Sequence, residues 1–310
     1  MTRHFLRDDD LSPAEQAQVL RTAARMKADR TAIQPLAGPQ GVAIIFDKPT
    51  LRTQLSFSTG VAELGGFPTV VDGNLAQIGV RESIPDVARV LGRQVSLIVW
   101  RTYGQDRIEQ MAEYAGVPVV NALTDDFHPC QILADLLTIT EHKGELADLT
   151  MSYVGDGANN MAHSYLLGGA LAGMNVRIGT PATHQPQQAI VDRAREIASQ
   201  TGGSVQVNDD PVGTVTGADV VITDTWVSMG QEAEAGDRKG TESPFTPFAL
   251  DADLLGHAAS DAIVLHCLPA YRGYEISADV IDGPQSVVWD EAENRLHAQK
   301  ALMAFLLEQA

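Results

Sequence analysis

Short β-rich runs recur along the chain, separated by stretches in which Ala, Leu and Glu return at helical spacing. The runs are Val42–Phe46, Thr69–Val71, Leu97–Val99 and Val117–Val120, then Thr150–Val154, Asn175–Ile178, Val205–Val207, Asp219–Thr223, Ile263–His266 and Val287–Trp289. Few folds accept this alternation, because parallel strands need a helical crossover between them. The two series predict an α/β chain of two doubly wound parallel-sheet domains. Lys143-Gly144 reads as a helix stop and sets the boundary near residue 145, giving domains over 1–145 and 146–310. An amphipathic helix over Ser12–Lys27 precedes the first series. The closing segment, about 290–309, carries Leu296, Ala301, Leu302, Phe305 and Leu306 on a helical period, so it is expected to pack back on the first domain. Ser228–Thr246 has no apolar period and is long for a connection, which predicts a mobile loop beside a site.

At 310 residues there is enough chain for two such domains. The balance of 22 Lys+Arg against 40 Asp+Glu leaves a net charge of -18, which repels nucleic-acid backbones and anionic membranes, and no basic run offsets it. The most apolar stretches, Gly41–Phe46 and Val95–Trp100, fall far short of the ~20 residues that span a bilayer. The first ten residues hold no apolar signal core and there are two cysteines, so a cytoplasmic protein without a disulfide framework is expected.

Four segments could carry chemistry. Phe46–Gln54 joins a strand to a helix through Thr50, Leu51, Arg52 and Thr53. Backbone N–H groups and the helix dipole at such a turn suit a phosphate, although a capped helix with a surface Arg has the same sequence. His128-Pro129-Cys130-Gln131 again stands at a helix start, where His and Gln could polarise a carbonyl and hold an amide, or simply fill a core; its spacing does not suggest zinc. Gly155-Asp156-Gly157-Ala158-Asn159-Asn160 approaches the dinucleotide fingerprint, with Asn160 where the third Gly would stand. Asp224–Gly230 and His266–Pro269 follow strands, where open α/β sheets bind ligands, and Leu268-Pro269 is a candidate cis peptide.

Together and in this order, these motifs resemble the aspartate/ornithine carbamoyltransferase family over essentially the whole chain. Asp224-x-x-x-Ser228-Met229-Gly230 makes it most similar to the anabolic, ornithine-using branch. The resemblance implies carbamoyl transfer from carbamoyl phosphate to the δ-amine of L-ornithine, giving L-citrulline and phosphate in arginine biosynthesis, without metal or organic cofactor. It implies a carbamoyl phosphate site made by Thr50, Leu51, Arg52, Thr53, Arg101, His128, Pro129, Cys130 and Gln131. Gln77 would enter a neighbouring subunit's site, which implies a homotrimer or a multiple of one. Asn160, Asp224, Ser228 and Met229 would hold ornithine, and Cys267, Leu268 and Arg295 would border the carbamoyl group. Arg52, Arg101, His128, Cys267 and Arg295 are the expected catalytic set.

Elementary chemistry supports this set. A dianion entering so acidic a chain needs local positive charge, which Arg52, Arg101, Arg295 and a helix N-terminus supply. Charge growing on the carbamoyl oxygen calls for donors such as His128, Arg295 and Thr53. The attacking amine must lose a proton, which points to Asp224 and Cys267, with phosphate oxygen as a final acceptor. The family's loop usually reads Ser-Thr-Arg-Thr-Arg, so Leu51 deletes a hydroxyl and Gln54 a charge. That departure leaves open an acylated ornithine as acceptor or a binding protein without turnover; aspartate or putrescine as acceptor and, from Gly155–Asn160, a nicotinamide enzyme are the other rival readings.

Overall fold

The computed structural model describes residues 2–227, 235–240 and 242–308. Strands are β1 (Gly41–Phe46), β2 (Phe67–Asp72), β3 (Leu97–Arg101), β4 (Val119–Leu123), β5 (Thr150–Val154), β6 (Asn175–Gly179), β7 (Ser204–Asn208), β8 (Val220–Thr223) and β9 (Ile263–Leu265). The helices are α1 (Pro13–Ala28), α2 (Arg52–Glu63), α3 (Gly73–Ala76), α4 (Ile84–Leu91), α5 (Gln105–Ala115), α6 (Pro129–Lys143), α7 (Asn160–Leu171), α8 (Gln188–Thr201), α9 (Pro211–Val215), α10 (Ala235–Lys239), α11 (Ala252–Leu255), α12 (Ala278–Ile281) and α13 (Val288–Glu308). The chain forms two compact units, Met1–Leu137 with Glu293–Ala310, and Thr138–Ala292.

In the first unit four parallel strands lie in the order β2-β1-β3-β4. The chain builds outward from β1 to β2, then crosses back to β3, so the direction of winding reverses between β1 and β3. In the second unit the order is β7-β6-β5-β8-β9, again all parallel, with the reversal between β5 and β8. Loops at such a reversal diverge from the strands' carboxyl ends and leave a crevice for a ligand. Both sheets are doubly wound, as the alternation predicts. Ile45, Ile98 and Trp100 sit in the core of the first unit, and Val154, Val221 and Val264 in that of the second. No helix among the described residues is long and apolar enough to cross a membrane.

Several boundaries differ from the sequence expectation in a way that shapes the site. α2 starts at Arg52 and α6 at Pro129, earlier than the apolar periods beginning at Leu55 and Ile132, so the polar residues of both motifs lie on first helical turns. The strand expected at Val287–Trp289 is corrected. Val264 donates to Gln285 O and accepts from Val287 N, a single bridge, and α13 begins at Val288 with Asp290 and Glu291 in its first turn, where acids suit the dipole. Val288 is buried and Trp289 is 62% exposed, so the apolar run serves a helix face. The expected end of β9 at His266 also moves, to Leu265, which places His266 in the loop.

Candidate active site

In the first unit, register brings the donor motifs together. Phe46 pairs with Arg101, so the turn after β1 and the end of β3 lie side by side at the winding reversal. Asp47 N donates to Arg101 O at 2.9 Å and closes the gap beyond the ladder. Arg101 is buried at the strand end, and Thr53 is buried one residue into α2. Leu51 stands at the N-cap of α2 without giving it a side-chain cap, which leaves the positive end of the dipole to an anion. Its side chain is 69% exposed, so the hydroxyl missing from the usual loop is replaced by a group that points to solvent. Lys48 is buried, but it pairs with Asp125 and lies 4.9 Å from the centre of the Tyr103 ring. A cavity of about 450 Å³ beside this turn is lined by residues including Lys48, Thr50, Gln54 and Asn74.

Arg295 reaches the same place from α13. Its Nη1 donates to Gln131 Oε1 and its Nη2 to Thr53 Oγ1 at 3.4 Å. Gln131 Nε2 donates to Asp135 Oδ1 at 2.8 Å, which fixes the amide with its oxygen toward Arg295. Gln299, one helical turn beyond Arg295, accepts from Arg295 Nε at 3.1 Å and Nη2 at 2.9 Å when its amide is turned to donate to Ser56 Oγ. The guanidinium is therefore held before any ligand arrives. Asp135 and Gln299 escaped the sequence reading, although each stands four residues from a chosen site residue and so on the same helix face.

His128 is buried, and burial holds its imidazole well below the ordinary histidine range, reinforced by Arg295, Arg101 and Arg52. At neutral pH it is a neutral donor, suited to a developing oxyanion and poor as a base. Cys130 turns its thiol to Asn121 O at 3.3 Å, and burial pushes that thiol up to about 12. Its side chain is structural; Pro129 and Cys130 act as the helix start. Gln77, far along the chain, is exposed and left-handed, with φ 50° at the end of α3.

The second unit is arranged by the same logic. Val154 pairs with Thr223 and Ile222 with Leu265, so the turn after β5, Asp224 and Cys267 lie in neighbouring loops. Cys267 Sγ donates to Asp224 Oδ1 at 3.1 Å. Asp224 is buried, and that burial raises its carboxyl from the usual range, with His266 pulling the other way. Leu268-Pro269 is cis and Leu268 has φ 56°. Asn159 caps α7 by accepting from Ala162 N, its Nδ2 donates to Tyr153 Oη, and Asn160 follows as the first helical residue. Ser228 and Met229 lie outside the described residues.

Two rival chemistries fit this turn poorly. Gly157 N already donates to Thr180 Oγ1 at 2.9 Å and Ala158 N to Asp156 Oδ1 at 3.0 Å, so the backbone donors a pyrophosphate would need there are taken. Asp224, His266 and Cys267 put ligand atoms within 4.8 Å of one another, as a metal would require. Yet His266 Nδ1 accepts from Leu268 N at 2.9 Å and Nε2 faces Glu275 Oε1 at 3.2 Å, so its ring is already committed.

Residues 3–141 match the family model described as aspartate/ornithine carbamoyltransferase, carbamoyl-P binding domain, and residues 147–306 the one described as its Asp/Orn binding domain. The chain is 61% identical over 310 residues to the ornithine carbamoyltransferase of Clavibacter sepedonicus, covering 100% of both. Among solved structures, the ornithine carbamoyltransferase from Pyrococcus furiosus superposes with a TM-score of 0.94 at 43% identity, covering 100% of this chain and 98% of that one. The anabolic ornithine carbamoyltransferase from Campylobacter jejuni gives 0.92 at 35% identity, covering 99% of this chain and 100% of that one. With the sequence motifs gathered at the winding reversals of two parallel sheets and both family domains matched along its length, this chain belongs to the aspartate/ornithine carbamoyltransferase family.

Proposed function

We propose that the protein transfers the carbamoyl group of carbamoyl phosphate to the δ-amine of L-ornithine, giving L-citrulline and phosphate, in the anabolic direction of arginine biosynthesis. The observation that carries this reading is the gathering of Arg52, Arg101 and a pre-set Arg295 around neutral His128 at the β1/β3 reversal of a chain with net charge -18. Such a pocket favours a compact dianion with an oxygen on which charge develops. Thr50, the Leu51 backbone, Arg52 and Thr53 take the phosphate, and Arg101, His128 and Arg295 face the carbamoyl oxygen. Gln131 holds the carbamoyl NH₂.

Asn160, Asp224, Ser228 and Met229 take ornithine. A buried acid bonded to the Cys267 thiol suits the δ-amine, which arrives as an ammonium and must shed a proton before it attacks. Most of the acceleration comes from positioning and electrostatics, with no cofactor in the scheme. Substrates add in order, carbamoyl phosphate first. The domain division near residue 145 is supported by the two matched stretches, 3–141 and 147–306, and the return of the closing helix to the first domain by the compact unit that joins Glu293–Ala310 to Met1–Leu137.

The same reading includes a cytoplasmic homotrimer in which Gln77 enters a neighbour's donor site. Leu51, Leu55, Phe67, Val70 and Leu75 are all exposed along α2, β2 and α3, a cluster of apolar surface that a second copy would cover.

Carbamoyl transfer is tested by offering ornithine, N-acetylornithine, putrescine and aspartate as acceptors with carbamoyl phosphate. Product with ornithine and little with the other three is expected. Preference for another acceptor would overturn the assignment of Asp224 and its loop. Silence with all four, despite carbamoyl phosphate binding by calorimetry, would leave a binding protein.

A further inference from the structure

Beneath the turn that presents Gln77 lies an ion pair with no part in the scheme above. Asp47 Oδ2 accepts from Thr102 Oγ1 at 2.6 Å and from Arg107 Nη2 at 3.4 Å. Arg107 Nη2 also donates to Ile78 O at 2.8 Å, and its Nε donates to Thr102 Oγ1 at 2.9 Å. The guanidinium carbon lies 5.2 Å from the centre of the Trp100 ring. One planar fork thus joins the turn after β1, the residue after Arg101 and the carbonyl next in the chain after Gln77.

The segment around α3 is fitted to this pair at both ends. A Cβ on Gly73 would stand 1.9 Å from Asp47 Oδ1, so only glycine lets the start of α3 rest on that carboxylate. At the other end Gly79 has φ +80°, and a Cβ there would meet Arg107 Nη1 at 3.0 Å. Between them Gln77 N donates to Gly73 O at 2.8 Å, and Gln77 is itself left-handed. An exposed residue in so unfavourable a conformation keeps its direction only if the backbone on both sides is held.

We propose that Arg107 is a positioning residue for carbamoyl phosphate binding: through the Ile78 carbonyl and Asp47 it sets the direction in which the Gln77 turn is presented. The proposal rests on the reading that Gln77 completes a donor site. Lysine cannot replace Arg107, because a single ammonium cannot span Asp47, Thr102 and Ile78 while lying on the Trp100 ring. Removing the fork leaves the phosphate turn in place and loosens the residue that completes the site, so donor affinity falls while acceptor affinity does not.

The test measures KM for each substrate, kcat and Tm for Arg107→Ala, Arg107→Lys, Gln77→Ala and the Arg107→Ala/Gln77→Ala pair. Arg107→Ala is expected to raise KM for carbamoyl phosphate about tenfold with KM for ornithine unchanged, and Arg107→Lys to restore little of it. The double variant should be no worse than Gln77→Ala alone, since both changes act on one contact. A raised KM in Gln77→Ala with an unchanged one in Arg107→Ala, or losses that multiply in the double variant, would overturn the positioning role alone. An unchanged KM in Gln77→Ala would overturn the donor-site reading of Gln77 and the proposal with it. Should Arg107→Ala not fold, Thr102→Val removes the anchor of Nε together with the hydroxyl's bond to Asp47 Oδ2 and leaves the Nη2 bonds to Asp47 and Ile78, and an increase of about threefold in the same KM is expected; no increase would count against the proposal.

Discussion

The two cysteines show how residue type and environment part company. Cys130 sits among chosen donor residues and Cys267 among acceptor residues, and their side chains are chemically identical. Cys130 is buried and bonded to a main-chain carbonyl, with its thiol pushed up to about 12; Cys267 is half-buried beside Asp224. Cys130 is out of reach and held as a thiol, so iodoacetamide at a pH of about 8 is expected to spare it and to label the more accessible Cys267 first. Peptide mapping checks this, and labelling of Cys130 at a rate matching Cys267 would contradict the buried placement. His128 carries the same lesson. Its neutrality comes from burial beside three arginines that are distant in sequence, and no local pattern announces it.

Elements place these residues, and much of that placement was legible. The alternation of runs located β1 to β9, and every chosen loop lies just past a strand end, as the reading required. Helix starts were less legible: apolar periodicity marks where a helix begins to bury an apolar face, whereas α2 and α6 begin earlier, in turns whose buried residues include the polar Thr53 and Gln131. The strand expected at Val287–Trp289 failed because an apolar β-branched run suits a buried helix start equally well, and only its partners separate the two. Close packing of elements was invisible as well. Gly92 ends α4, and a Cβ there would stand 1.7 Å from Ala115 O at the end of α5. The Gly92→Ala variant is therefore expected to lose about 1–3 kcal/mol, read as a lowered Tm, although alanine is the better helix former. An equal or higher Tm would show that α4 and α5 can separate at no cost.

At the scale of the whole molecule, the apolar side chains left exposed from Leu51 to Leu75 point to assembly. Light scattering is expected to report three copies at micromolar concentration, and Leu55→Glu to lower that number. A monomer with full activity would remove the basis for Gln77 acting in a neighbour's site. The order of residues alone determined the class of fold, the two-unit plan, the strand-end position of the motifs and the strongly acidic charge, since periodicity and charge are local properties that survive without coordinates. Only the folded chain decided which of those residues meet. Gln299 and Asp135 set Arg295, burial sets the charge of His128, and Arg107 ties Asp47 to the Gln77 turn. Each of these depends on distances between segments far apart in sequence, or on exclusion of water, and neither is written in any one stretch of the chain.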